Sequence, residues 1–391
     1  MLRVAILDHC SKDFRPISDT RPVAELLAGC FTFEDRIRRL FPNSEVSVVP
    51  YKRLSDAETR RSAFEGLTLY LEANFVYTLE FARIAMGLDS PAVFISDGAV
   101  VGVAAEEPFQ KSWFEDPPNW PTHNLTLMRV DAIWDLVNLN GEIIKSDFEE
   151  HFRRAIDGQV HPLSAIYGEN AIAIERGAEI FAGAVLDARE GPIVVARGAV
   201  VRPGAVIQGP CYIGPDTMVL SGWAREGCSF GPMCKIGGEV ESSIFLGYSN
   251  KCHEGFVGHS YIGRWVNLGA LTTTSDLKNN YSKIRVDLGE GERDTGRIKV
   301  GSFFGDHTKT GIGTLLNSGT CLGVSVNHYA SGLPPKFIRA FSWGTSEGYT
   351  RYEFDKALAT ARIVMSRRGI KMGASEAELL LKIYRENWPE S

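Results

Sequence analysis

The chain has 391 residues, 44% hydrophobic and 23% charged, which are ordinary proportions for a globular protein with room for two or three domains. Forty-two Lys and Arg against 48 Asp and Glu give a net charge of −6. That balance argues against a nucleic-acid partner, since a backbone binder carries a basic excess or a basic face. No apolar run approaches the ~20 residues that span a bilayer, so no membrane partner is expected. The start of the chain runs into a short apolar strand without a signal-peptide pattern. Seven cysteines, an odd count without a CxxC pair, read as free thiols of a cytoplasmic protein.

The first 160 residues read as α/β. Val4–Leu7, Val46–Val49 and Ala92–Ile95 are short apolar runs of the buried-strand kind. Between them, Val23–Leu40 and Phe75–Met86 carry apolar residues at helical spacing. This alternation predicts a mostly parallel sheet. Glu106–Pro121, with four prolines and two tryptophans, reads as a surface loop. Asp131–Ile156 reads as a helix interrupted at Asn140-Gly141 that links two domains.

From Ile174 the period changes to six. Ile174, Ile180 and Leu186 are followed, after a three-residue slip, by Val195, Val201, Ile207, Ile213 and Val219. Three positions after each of the last five stand Gly198, Gly204, Pro210, Asp216 and Gly222, all turn residues. One position later stand Ala199, Ala205, Cys211, Thr217 and Trp223, four of them small. A second run gives Ile298, Phe304, Thr310, Leu316 and Leu322, with Ser302, Thr308, Thr314 and Thr320 at the small position. A three-sided parallel coil demands this pattern: an aliphatic residue inward on each short side, a small residue at the inner corner, and a left-handed turn beside it. Three hexapeptides make a coil of 18 residues, and residues 166–344, less an interruption of about 23 residues, hold on the order of eight or nine coils. The polar stretch Thr274–Arg297 breaks the repeat and reads as a loop or an arm over a cleft. After Trp343, Tyr352–Arg367 and Glu376–Trp388 have helical spacing and read as a cap on the open end of the coil. The expected domains are therefore an α/β domain at 1–125, a helical linker at 126–160, the coil at 161–345 and a helical cap at 346–391.

FVGHSYIGRWVNLGALT (Phe256–Thr272) resembles the acetyltransferase half of the bifunctional N-acetylglucosamine-1-phosphate uridylyltransferase / glucosamine-1-phosphate acetyltransferase family. TRPVAELLAGCFTFEDRI (Thr20–Ile37) is similar to a stretch of that family's nucleotidyltransferase half. Over the whole chain, DTRPVAEL, HSYIGRWVNLGA, SDLKNNYS and GDHTKTGI resemble a group of bacterial sugar nucleotidyltransferases related to it. The resemblance implies a truncated, Rossmann-type nucleotidyltransferase-like domain and a left-handed parallel β-helix. It also implies a sugar phosphate or nucleotide sugar as acceptor, acetyl-CoA as co-substrate, and a homotrimer.

Matched position by position, the resemblance implies a catalytic group of His259, Asn267 and Asp276. Asp276 stands where the family has Asn. Arg225, in AREGC, matches a phosphate-binding Arg, and Tyr261 falls one residue closer to the His than in the family. Asn279 and Arg21 are the further expected substrate contacts, Arg21 standing where the family has a phosphate-binding Lys. The family's sugar-binding Lys upstream of the His has no counterpart, and Glu241-Ser242 occupies that stretch. His307, Lys309, Lys336 and Arg339 are expected to contact coenzyme A.

His253 and His259 follow Asn250 and Phe256, taken as inward positions, by three residues, which puts both histidines at corners facing outward. They lack the His spacing of β-helix carbonic anhydrases, so no metal is expected in the coil. The nucleotidyltransferase half lacks a glycine-rich phosphate loop, since Asp8 to Arg15 contains no glycine. Nucleotidyl transfer is thus expected to be lost, and Mg2+ would be needed only if that domain were active, with Asp97 a vestigial ligand. The sequence reads as a CoA-dependent acyltransferase with His259 as general base. The alternatives are a non-catalytic sugar-nucleotide scaffold or sensor, and a sugar-1-phosphate nucleotidyltransferase despite the missing loop.

Overall fold

The computed structural model describes residues 2–8, 10–50, 66–329 and 332–389. His9 lies outside them. The chain divides into two compact units: Met1–Asp13 with Arg21–Leu26 and Phe31–Asp131, and Phe14–Thr20 with Leu27–Cys30 and Ala132–Ser391. Among the described residues no helix is long and apolar enough to cross a membrane. All seven cysteines are free.

The first unit is an α/β domain of β1 (Arg3–Asp8), α1 (Phe33–Leu40), β2 (Glu45–Pro50), β3 (Thr68–Glu72), α2 (Leu79–Met86), β4 (Ala92–Ser96), β5 (Ala99–Ala105) and β6 (Thr122–Leu125). Its sheet runs β2-β1-β3-β5-β4-β6. The sheet is mostly parallel, as the alternation predicts, with one antiparallel strand: β5 runs against both β3 and β4, and a tight turn at Asp97-Gly98 joins β4 to β5 directly. Both predicted helices are shorter than their apolar spacing suggests. Val23–Glu25 is a 3-10 turn, and Leu27–Ala28 and Phe31–Thr32 are two-residue strands before Thr32 caps α1. Phe75–Val76 is likewise a strand, and α2 starts at Leu79 after the Thr78 cap. The predicted surface loop Glu106–Pro121 is anchored, since Phe109 and Trp113 are buried against Tyr70 on the sheet.

The second unit is a three-sided parallel coil. On its first side, Ile174, Val195, Ile213, Phe230, Phe245, Ile262, Phe304, Leu322 and Ile338 stack in register along a nine-stranded sheet. On the second, Ile180, Val201, Val219 and Ile236 stack likewise, and on the third Leu186, Ile207, Ala224, Val240 and Val257. These side chains form one continuous buried core. Three expected inward positions change. Asn250 and Phe256 are half-buried, and the inward residues are their neighbours Lys251 and Val257, both fully buried. Ile298 is half-exposed at the end of the insertion rather than inside the coil.

Helix α3 (Ile133–His151) is continuous through Asn140-Gly141. The buried Asn140 amide accepts from Gly29 N–H (2.8 Å) and donates to Gly227 O and Ser229 Oγ (both 2.9 Å), so its polarity does not break the helix. The insertion does not reach out as an arm. It forms a hairpin, Arg285–Asp287 against Glu292–Asp294, whose Ile284, Val286 and Leu288 are buried. Arg297 pairs with Asp135 of α3 at 2.6 Å, and Lys336 Nζ donates to Arg285 O, tying the hairpin to its own chain. A second hairpin, Ser342–Thr345 with Gly348–Arg351, ends the coil. Beyond it α4 (Phe354–Ser366) and α5 (Ala374–Asn387) pack on Val324, Ala340 and Phe341.

Candidate functional site

After Val257 the chain turns the corner between the third and first sides. His259 holds φ = 45° there, in the left-handed region. The corner is pinned by hydrogen bonds. Gly258 N–H donates to Thr274 Oγ1 (3.1 Å), His259 N–H to Glu241 O (3.0 Å) and Ser260 N–H to Ser243 Oγ (3.1 Å). Gly258 is required by close approach: a Cβ there would lie about 2.5 Å from the Phe256 ring and 2.6 Å from the Asp276 carboxylate.

His259 is not turned out to solvent as its corner position suggests. Its Nδ1 lies 2.7 Å from Asp276 Oδ2, and its side chain is only 10% exposed. Asp276 opens the insertion, and its carbonyl accepts from Val300 N–H (2.9 Å), so the two ends of the insertion meet beside the histidine. Burial pushes the Asp276 carboxyl up. The hydrogen bond and charge of His259 and the ammonium of Lys299 outweigh it, and hold the group below the usual carboxylate range. With Asp276 ionised and accepting from Nδ1–H, the free lone pair of the imidazole lies on Nε2.

Glu241 completes the cluster. It is buried and in register with Gly258. One carboxylate oxygen accepts from Arg225 Nη1 (2.6 Å) and the other from Lys299 Nζ (2.9 Å). Arg225 also reaches Glu239 at 3.4 Å and covers the Trp223 ring. Donor atoms of Glu241, His259 and Asp276 lie within 4.8 Å of one another, a spacing a cation could use. Both Glu241 oxygens are already matched by protein cations. Lys299 went unseen in the sequence because it lies at the far end of the insertion, and Glu241 because it was read only as the absence of a lysine.

The other expected residues are dispersed. Tyr261 is fully buried, and its hydroxyl donates to Leu27 O (3.2 Å) and accepts from Leu27 N–H (2.9 Å), so it anchors a segment of chain rather than facing a cleft. Asn267 is exposed on the second side, bridged in register to Asn250 and Lys309, and does not join His259. Asn279 is exposed in the turn after Asp276. The four residues expected at coenzyme A do not converge. His307 is buried at a corner with φ = 61°, stacked on Trp265 and 4.0 Å from Glu376 of α5. Lys309 Nζ donates to His307 O, Lys336 to Arg285 O, and Arg339 lies over the Trp388 ring. His253 is exposed.

In the first unit a cavity of about 370 Å³ lies at the C-terminal ends of β3 and β4, lined by Glu72, Asn74, Lys111, Glu115 and Arg129. Burial pushes Glu72 up to about 8, against the lowering effect of Arg129, and raises Asp8, whose Oδ2 accepts from Val23 N–H. Arg21 is half-buried, and Asp97 is exposed in its turn at φ = 49°. Among the described residues no three carboxylate, His or Cys donors gather in this unit.

Residues 7–154 match the family described as sugar nucleotidyl transferase, somewhat over a third of the chain. A bifunctional sugar-1-phosphate nucleotidylyltransferase/acetyltransferase of Sulfurisphaera tokodaii is 33% identical over 97 residues, 24% of each chain. A bifunctional protein GlmU of Methanococcus aeolicus is 29% identical over 190 residues, 49% of this chain and 40% of that one. A GlmU of Rippkaea orientalis is 24% identical over 180 residues, 45% of this chain and 34% of that one. The resemblance read from the sequence is borne out, although the chain spans only 24% to 40% of the length of these relatives. Among solved structures, the UDP-N-acetylglucosamine acyltransferase of Francisella novicida aligns over 58% of this chain and 86% of that one, with 11% identity and a TM-score of 0.33. Likeness at that level adds nothing to the coil read from its own register.

Proposed function

We propose that the protein transfers an acetyl group from acetyl-CoA to an amine on a sugar phosphate or nucleotide sugar, acting as a homotrimer, with His259 as general base. The observation that carries this reading is the 2.7 Å contact of His259 Nδ1 with a carboxylate held ionised. Asp276 fixes the tautomer, and Nε2 accepts a proton from the amine as its nitrogen attacks the thioester carbonyl. The C–N bond forms, the C–S bond breaks, and the departing thiolate takes the proton back from the imidazolium. The N–H groups of Gly258, His259 and Ser260 are all committed to the corner. That leaves the partly exposed ammonium of Lys299 to meet negative charge on the carbonyl oxygen. Arg225 is the cation for the acceptor phosphate.

The test is CoA release measured across a panel of amino-sugar phosphates and nucleotide sugars. His259→Ala should lower kcat by about 10²–10⁴-fold while leaving coenzyme A affinity and assembly unchanged. A variant that keeps most of its kcat ends the base assignment. Acetyl-CoA that binds and is never consumed by any acceptor would favour the non-catalytic scaffold.

A further inference from the structure

The second side of the coil carries an outward column that includes Asn267 and Lys309, two residues the resemblance implied for acyl transfer, and that does not join His259. Lys235, Asn250, Asn267 and Lys309 lie in register on successive coils, with lysines at the two ends and amides between. At about 4.8 Å per rung, the column is roughly 14 Å long. Asn250 Nδ2 donates to Asn267 Oδ1 (3.4 Å), and Arg368, two residues past α4, donates to Asn250 Oδ1 (2.8 Å). With Arg367 and two aromatic rings, these groups line a cavity of about 370 Å³.

Its charge is one-sided. Four cations and no acid line it, in a chain whose net charge is −6. Among the described residues no ion pair joins any of the four to a carboxylate, and Lys309 and Arg368 are held by a carbonyl and an amide. Burial pushes Lys309 down to about 8, a shift that a neighbouring anion would reverse. The aromatic wall is Tyr248 and Trp265, stacked at 4.3 Å. Both hold left-handed φ values (57° and 63°), as Met233, His307 and Phe341 do at the same corner of other coils.

We propose that this cavity is an anion site for a diphosphate group, the chemistry shared by nucleoside diphosphates and coenzyme A. Its cations are spread too widely for one phosphate, and its volume suits a nucleotide-sized ligand. It lies on a different side of the coil from His259 and does not depend on that residue acting as the base.

Calorimetric titration of the full chain with inorganic pyrophosphate at low salt tests it. Saturable binding is expected, weakening as salt rises and at least ~10-fold weaker in Lys309→Met. An Arg367→Ala/Arg368→Ala double variant, altered just past a helix end outside the coil core, should lose binding to a similar degree while melting as the parent does. His259→Ala should bind pyrophosphate unchanged. Desulfo-CoA competing more strongly than ADP or UDP would assign the diphosphate to the coenzyme, and equal competition would assign it to a nucleoside diphosphate. No saturable binding, inorganic phosphate binding as tightly as pyrophosphate, or a folded double variant with parental affinity would each overturn the site.

Discussion

Lys251 stands on the inner ladder of the second side, next to Ile236 and in line with Leu268, fully buried among aliphatic rungs. Its ammonium donates to the carbonyls of Gly237 and His253. Burial lowers its pKa from 10.5 to about 8, the direction desolvation imposes on a cation. The folded chain therefore binds this proton less tightly than the unfolded chain. The resulting penalty is present in full below pH 8 and is relieved as pH rises toward 10.5. Proton linkage puts it at about 3 kcal/mol at pH 7 and about 1.5 kcal/mol at pH 9.5. Lys251→Met keeps the shape of the side chain and removes the proton. In urea unfolding, the parent should gain about 2 kcal/mol on the variant between pH 7 and pH 9.5. At pH 7 the variant should be at least as stable as the parent, since an apolar residue of similar volume replaces a buried charge. Every other titrating group is common to both proteins and cancels in the difference. Parallel stability curves, or a variant clearly weaker at pH 7, would mean that the two carbonyls hold the lysine charged, and the reasoning would fail.

Asp276→Asn should lower kcat by about 10²–10⁴-fold by releasing the tautomer of His259, and adding His259→Ala should cost little more, because the two act as one unit. Its stability effect should be confined to pH above the carboxyl's depressed pKa and fade as acid protonates the parent, and fully additive kinetic losses would contradict the pairing. Tyr261→Phe should destabilise the protein by about 1–2 kcal/mol, read as a lower Tm, with the KM for the acceptor unchanged. A raised KM with an unchanged Tm would restore Tyr261 to the substrate.

The coil was legible where its inner ladders are aliphatic and its turns are regular. From Val195 to Ile213 the step is 18 residues, but it falls to 17 at Phe230 and 15 at Phe245. Beyond that point Lys251, Thr310 and His328 replace aliphatic residues on the second side. A pattern anchored on hydrophobicity then loses the register, and this is how Asn250 was placed one residue from the true inward position. In the first 160 residues, local spacing was overridden by backbone constraints. Gly29 takes φ = 68°, where a Cβ would strike Asp147 and Ile143 of α3, and no helix can pass through it. The Asn140-Gly141 pair misled in the opposite direction, because a side-chain amide fully satisfied by tertiary partners carries no helix-breaking tendency.

The candidate site was half legible for a related reason. His259 and Asp276 lie at short, fixed offsets along adjoining coils, so sequence spacing alone brings them to one corner. Lys299 lies beyond the insertion, and only a fold-back held by Arg297 on Asp135 delivers it. The missing upstream lysine and the acid standing in its stretch then belong to one arrangement. Buried, Glu241 requires compensation, and Arg225 and Lys299 each take one of its oxygens. In the proposed reaction Arg225 would turn to the phosphate, while Lys299, with three N–H donors, would keep its Glu241 oxygen and meet the carbonyl oxygen as well. On that reading the corner would lend positive charge to a ligand without leaving a buried acid bare, which a lone lysine in that position would not have to arrange.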